Sequence, residues 1–122
     1  MPKVLLADDN FTMVSLLKTL LEMEGYQVET LLDKAGDMLE TLRASKPDIF
    51  LVDVFLGDRN GLDLVRELRH QPDLKDIRIV MVSGTDKSDE CLAAGANAFL
   101  LKPYMPDDLL KTLHSQQSGP YA

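Results

Sequence analysis

One cysteine among 122 residues, Cys91, leaves this chain without an internal disulfide and without the thiolate cluster a soft metal would need. Histidine is nearly as scarce: His70 and His114 have no metal-binding partner at a useful spacing. Basic charge is short as well. Thirteen Lys and Arg face twenty Asp and Glu, a net charge of −7, so the field repels phosphate backbones and direct nucleic-acid binding by this segment is not expected. No apolar run approaches the roughly eighteen residues of a membrane span. The start, Met-Pro-Lys and then Asp8-Asp9, lacks a signal-peptide pattern. The expectation is a cytoplasmic domain with no membrane contact. Internal repeats and low-complexity blocks are missing too. What remains is 45% hydrophobic and 27% charged, the mixture of a folded chain, at a length that suits one domain rather than two.

Four short apolar runs stand out, at 4–7, 49–52, 77–82 and 98–101. The middle two are continuous rather than alternating, as parallel strands covered on both faces should be. A fifth segment, 27–32, is more mixed and reads as an edge strand. Helical spacing fills the gaps. Met13, Leu16, Leu17, Leu20 and Leu21 make one apolar stripe, with Gly25 where a helix stop belongs. Ala35, Met38, Leu39 and Leu42 make a second, ending before Pro47; Leu62, Leu64, Val65 and Leu68 make a third, closed by Pro72. A short fourth helix fits only 88–94, with Cys91 packing it. The last opens at Pro106 with Asp107 and Asp108 and turns Leu109, Leu110 and Leu113 inward. Met13, Met23, Met38 and Met81 read as core fillers. Strand and helix alternate about five times, and right-handed crossovers then predict a parallel sheet with helices on both faces. Residues 115–122 have linker composition, which fits either a frayed end or a connection to a further domain.

In such sheets ligands sit at the carboxyl ends of the strands. Those ends carry Asp8-Asp9, Asp53, Ser83-Gly84-Thr85 and Lys102-Pro103. Singly, each residue reads as a turn, a helix cap or a solvated lysine, and Asp9 or Asn10 alone suits a cap on the first helix. Jointly they put three carboxylates, a hydroxyl and an ammonium on one edge. Carboxylates so close repel unless a cation sits among them, and Mg²⁺ prefers such oxygen ligands. With Mg²⁺ and Lys102 the charges cancel, so one carboxylate can accept a phosphoryl group while Ser83 donates a hydrogen bond to its oxygens.

With Val-Leu-Leu-Ala-Asp-Asp-Asn at 4–10, Pro-Asp-Ile-Phe-Leu-Val-Asp at 47–53, Asn-Gly-Leu-Asp-Leu at 60–64, Val-Ser-Gly at 82–84, Ala-Gly-Ala at 94–96 and Lys-Pro-Tyr at 102–104, the chain resembles the receiver domains of two-component response regulators, chemotaxis receivers among them. The resemblance implies a receiver over 1–114 followed by the 115–122 tail. It implies a flavodoxin-like three-layer sandwich, with a five-stranded parallel sheet in order 2-1-3-4-5 and five helices. Asp53 would take phosphate from a histidine kinase or a phosphotransfer protein. Asp8, Asp9, Asp53 and the backbone carbonyl of Phe55 would hold Mg²⁺. Lys102, joined to Pro103 by a cis bond, would contact the phosphoryl group, and Ser83 and Phe99 would form the switch. Core packing is the plainer reading of Phe99. Phe55 would shield the phosphate or merely cover the rim.

Two departures from the family pattern stand out. Gly57 occupies the place of a usual proline, with Asp58 adding charge, and nineteen residues separate Ser83 from Lys102, about one helical turn short. These features motivate an alternative, a phosphate-independent interaction domain. A small α/β enzyme fits worse, because 53–55 reads Asp-Val-Phe rather than Asp-x-Asp and no Walker loop exists. The expectation is a signalling switch that does chemistry only on itself. The output partner, or an effector domain following the chain, is not legible here.

Overall fold

The computed structural model describes residues 2–8, 10–30, 38–56 and 59–118. Its elements are β1 (Lys3–Ala7), α1 (Phe11–Met23), β2 (Gln27–Thr30), α2 (Met38–Ser45), β3 (Ile49–Asp53), β4 (Phe55–Leu56), β5 (Arg59–Asn60), α3 (Gly61–Arg69), β6 (Arg78–Ser83), α4 (Ser88–Ala94), β7 (Ala98–Leu101) and α5 (Pro106–Ser118). Five strands form one parallel sheet in the order β2-β1-β3-β6-β7. This is the expected 2-1-3-4-5 order, renumbered because the antiparallel ribbon β4–β5 intervenes. The ribbon itself has no strand signature in the sequence.

Strand alternation splits the core into two layers. Leu5, Ala7, Phe50, Val52, Ile79 and Met81 face α2, α3 and α4, where Leu42, Val65, Leu68 and Cys91 meet them. Val4, Leu6, Ile49, Leu51, Val80 and Val82 face Val14, Leu17 and Leu21 of α1 and Leu109 and Leu113 of α5. Every residue of β3 is buried, which explains its unbroken apolar run. Each wholly buried Leu here contributes about 2 kcal/mol of burial.

Several expectations need correction. The buried stripe of α1 is Val14, Leu17 and Leu21, at i, i+3 and i+7; Leu16 is 63% exposed and Met23 79% exposed. Leucines surround more of this helix than one sheet can cover, so apolar spacing alone does not fix its rotation. Met38 and Met81 are core residues as expected, while Met13 is only half-buried. The part of the edge strand at 31–32, and Ala35, lie outside the described residues. The third helix stops at Arg69, short of Pro72. The short fourth helix spans Ser88–Ala94 as read. α5 continues through Ser118, into the stretch read as linker, because no Gly or Pro interrupts the chain before Gly119-Pro120. No described helix is long and apolar enough to cross a membrane.

Candidate functional site

Parallel strands bring their carboxyl ends to one edge. Asp53 is the last residue of β3 and Ser83 the last of β6, while Asp8 and Lys102 directly follow β1 and β7. Asp9, like Gly57 and Asp58, lies outside the described residues.

Asp8 and Asp53 are used in the same way. One oxygen of each accepts a backbone amide two residues ahead: Asp8 Oδ1 from Asn10 N at 3.0 Å, Asp53 Oδ1 from Phe55 N at 2.9 Å. This local turn is a habit of aspartate and sets the carboxylate plane. The other oxygen of each accepts from one shared ammonium, Lys102 Nζ, at 2.9 Å for Asp8 Oδ2 and 2.5 Å for Asp53 Oδ2. Both carboxylate side chains are 9% exposed and that of Lys102 is 24% exposed. Burial alone would lower the Lys102 pKa, but the hydrogen bonds and charges of Asp53 and Asp8 outweigh it and hold the group above its ordinary value. The lysine is therefore a fixed cation. Its backbone N–H reaches Ser83 O at 2.8 Å, which continues the β6–β7 ladder into the site, and the Lys102–Pro103 bond is cis.

Ser83 is wholly buried, and its Oγ is engaged with Thr85, accepting from Thr85 N at 3.2 Å and lying 3.4 Å from Thr85 Oγ1. By strand alternation it belongs to the layer of Ile79 and Met81, the layer to which half-buried Phe99 is packed. Asp53 instead continues the parity of Ile49 and Leu51 on the opposite layer. The site thus joins an ionic trio on the α1–α5 side to a hydroxyl on the α4 side.

Phe55 stands beside Asp53 through its amide, but its side chain is 54% exposed on β4. Behind it, Gly61 N donates to Val54 O at 2.6 Å, and a Cβ on Gly61 would collide with the carbonyl oxygen of Asp53. Asn60 caps α3 by accepting from Leu62 N at 2.8 Å, as Asn10 caps α1 by accepting from Met13 N at 3.0 Å. The close approach of Gly61 leaves no trace in hydropathy. Tyr104, just past the site, is another such residue; burial raises its phenol pKa, with Lys102 pulling down against Asp8 and Asp53. It joins Met13, Leu16, Leu17, Leu20 and Pro103 around an apolar groove of about 560 Å³ that also borders Lys102. The groove explains why Leu16 is exposed without being stray.

Among the described residues no three His, Cys, Asp or Glu side chains are grouped to hold a metal, and Asp9 falls outside them. The donors that are present fit a hard cation. Among the described residues each carboxylate oxygen of Asp8 and Asp53 accepts a single bond, which leaves lone pairs for coordination, and these donor atoms are all oxygen.

Comparison with known proteins identifies the family. The model of the response regulator receiver domain matches residues 4–114. Protein PilH of Pseudomonas aeruginosa is 30% identical over 122 residues, covering 98% of this chain and 100% of that protein. The phosphate regulon transcriptional regulatory protein PhoB of Rhizobium meliloti is 32% identical over 114 residues; the match covers 90% of this chain but only 49% of that protein, so the chain spans about half its length. Among solved structures, the chemotaxis response regulator CheY4 of Vibrio cholerae superposes with a TM-score of 0.84 at 32% identity, over 93% of this chain and 97% of that one. With the parallel sheet and the site at its carboxyl edge, these matches mean that the chain belongs to the response regulator receiver domain family.

Proposed function

We propose that Asp53 is a phosphoacceptor that takes a phosphoryl group from a histidine kinase or a phosphotransfer protein. The observation that carries this reading is the single ammonium of Lys102 shared between Asp53 Oδ2 and Asp8 Oδ2 in a nearly buried site. In the transfer, the phosphorus–nitrogen bond of the donor's phosphohistidine breaks as a bond forms from an Asp53 carboxylate oxygen to phosphorus. The imidazole leaves with the electron pair. Lys102 is placed to neutralise a phosphoryl oxygen as charge shifts toward the acceptor. Mg²⁺, held by Asp8, Asp9, Asp53 and the Phe55 carbonyl, supplies further positive charge when bound.

The Ser83–Thr85 hydroxyl contact, at 3.4 Å, is a weak bond and cheaply exchanged for one to a phosphoryl oxygen. Phe99, on the same layer, follows that movement and alters the α4–β7–α5 surface, where output passes by protein contact. The donor's carrier docks on the apolar groove of α1 and Pro103–Tyr104, because that groove borders Lys102 and a donor histidine must reach Asp53. The chemistry is done on the protein itself, in the cytoplasm, and not by turnover of a substrate.

The test is incubation with acetyl phosphate and Mg²⁺ followed by intact mass. Wild type should gain one phosphoryl group, Asp53→Asn none, with its fold kept. A wild-type protein that gains nothing, when even rapid-quench sampling shows no transient adduct, would favour a receiver that binds partners without phosphate.

A further inference from the structure

β7 is a weakly specified strand. It has four residues, pairs with β6 on one side only and is half-buried, and its sequence Ala-Phe-Leu-Leu is apolar at every position. Alternation therefore does little to choose its register. A slip of two residues would displace Lys102 by about 6.6 Å along the strand, and would bring either Asn97 or Lys102 and Pro103 into the ladder. That would take its ammonium away from Asp53 and Asp8. The preceding helix is short: α4 has seven residues, and Gly95, Ala96 and Asn97 join it to the strand, where Phe99 packs against the layer of Cys91 and Ala94.

A polar knot stands at the opposite end of β7 from the site. Asn97 pairs with Ile79 twice: its backbone N–H donates to Ile79 O at 2.7 Å, and its Oδ1 accepts from Ile79 N at 2.7 Å. The same Oδ1 accepts from Arg69 NH2 at 2.8 Å. Arg69, at the end of α3, spends its remaining fork on backbone carbonyls: Nε on Gly95 O at 2.9 Å, NH1 on Lys75 O at 2.6 Å and on Ile77 O at 2.7 Å. One guanidinium thus ties together the end of α3, the approach to β6, the end of α4 and the residue that opens β7. Gly95 has φ +120, and a Cβ there would lie 2.7 Å from Arg69 Cγ, so the guanidinium stem occupies the space a side chain would need.

We propose that Arg69 and Asn97 are positioning residues for Lys102: they fix the register of β7 against β6 and so place the ammonium between Asp53 and Asp8. Arg69 acts from about 17 Å, the length of the strand between Asn97 and Lys102. Where the site works in phosphoryl transfer, the inference rests on the reading given above. The register lock itself does not.

The test is therefore read on the lysine. Brief acetylation with acetic anhydride, followed by peptide mass spectrometry, gives the labelling of Lys102 relative to Lys3. Arg69→Met and Asn97→Ala should raise that ratio roughly fivefold, the effect of one or two hydrogen bonds on the register equilibrium. Asn97→Asp keeps both acceptor bonds and should label like wild type, and Arg69→Lys should fall between. General loosening would raise Lys3 as well as Lys102 and leave the ratio flat. A flat ratio in Asn97→Ala, whose site is exposed and whose fold is not at risk, overturns the proposal. With acetyl phosphate, Arg69→Met should lower the rate at saturating donor severalfold. Failure of wild type to gain phosphate would overturn the phosphoacceptor reading only, since the labelling ratio decides the lock in either case.

Discussion

Lys102 Nζ lies 2.5 Å from Asp53 Oδ2 and 2.9 Å from Asp8 Oδ2, and the two carboxylates are separated in sequence from the lysine by 49 and 94 residues. Removing the ammonium leaves two nearly buried negative charges facing each other. Lys102→Met is expected to cost about 2 kcal/mol in the presence of EDTA, below the figure for a fully buried pair because the lysine is partly exposed. Saturating Mg²⁺ should recover most of that loss. Thermal melts with and without the metal check both halves, and an Mg²⁺-insensitive deficit would argue against metal at these carboxylates.

Gly61 and Gly84 both adjoin the site but differ in room. Gly61→Ala drives a methyl group into the backbone of Asp53 and Val54, whereas Gly84→Ala meets open space. Urea denaturation should show a loss of about 2 kcal/mol or more for the first and a change within about 0.5 kcal/mol for the second. The first should also slow phosphate uptake, because the displaced carbonyl belongs to the acceptor residue.

On α1, two leucines have opposite jobs. Leu21 is wholly buried, and Leu21→Ala is expected to cost about 3 kcal/mol. Leu16 is exposed at the groove, so Leu16→Ser should leave the melting temperature almost unchanged while slowing transfer from a donor protein. Uptake from acetyl phosphate, which needs no docking surface, should be unaffected by Leu16→Ser.

Cys91 has no exposed surface, and burial pushes its thiol pKa up, with Glu90 adding to the rise and Lys87 opposing it. The native thiol should react with a disulfide reagent orders of magnitude more slowly than in denaturant. Fast native labelling would mean that α4 opens readily.

Glu29 is held below its ordinary pKa chiefly by the bond from Lys3, whose Nζ is 3.0 Å away, against a smaller opposing effect of burial. A depressed carboxylate adds stability above its unfolded pKa and loses it as pH falls through the folded value. Glu29→Gln should therefore cost about 0.5 kcal/mol or less at neutral pH, given the exposure of the pair. The gap to wild type should close as pH falls below the carboxylate range. Urea midpoints across that range provide the check.

Much of the architecture was legible from local pattern. The unbroken run at 49–52 marked a strand buried on both faces, and the bounds of α4 fell where 88–94 left room for them. Other features resisted for a physical reason. Leu16 and Leu17 are the same residue type on one helix, and only the sheet's position decides which is covered. The β4–β5 ribbon is two residues a side, too short for any alternation to register. Arg69 carries no signal in the sequence, because three of its bonds go to backbone carbonyls, and a carbonyl has no letter in a sequence.

The chain's own order of apolar runs and helical stripes determined that strands and helices alternate in a parallel sheet and which edge carries Asp8, Asp53, Ser83 and Lys102, while the strand order followed from the family resemblance. Burial period and crossover handedness are local rules that act on neighbouring residues. Tertiary structure alone decided which carboxylate oxygens meet the ammonium and how β7 is held in register. Those are contacts between residues far apart in sequence. Each is chosen by packing, which no single segment contains.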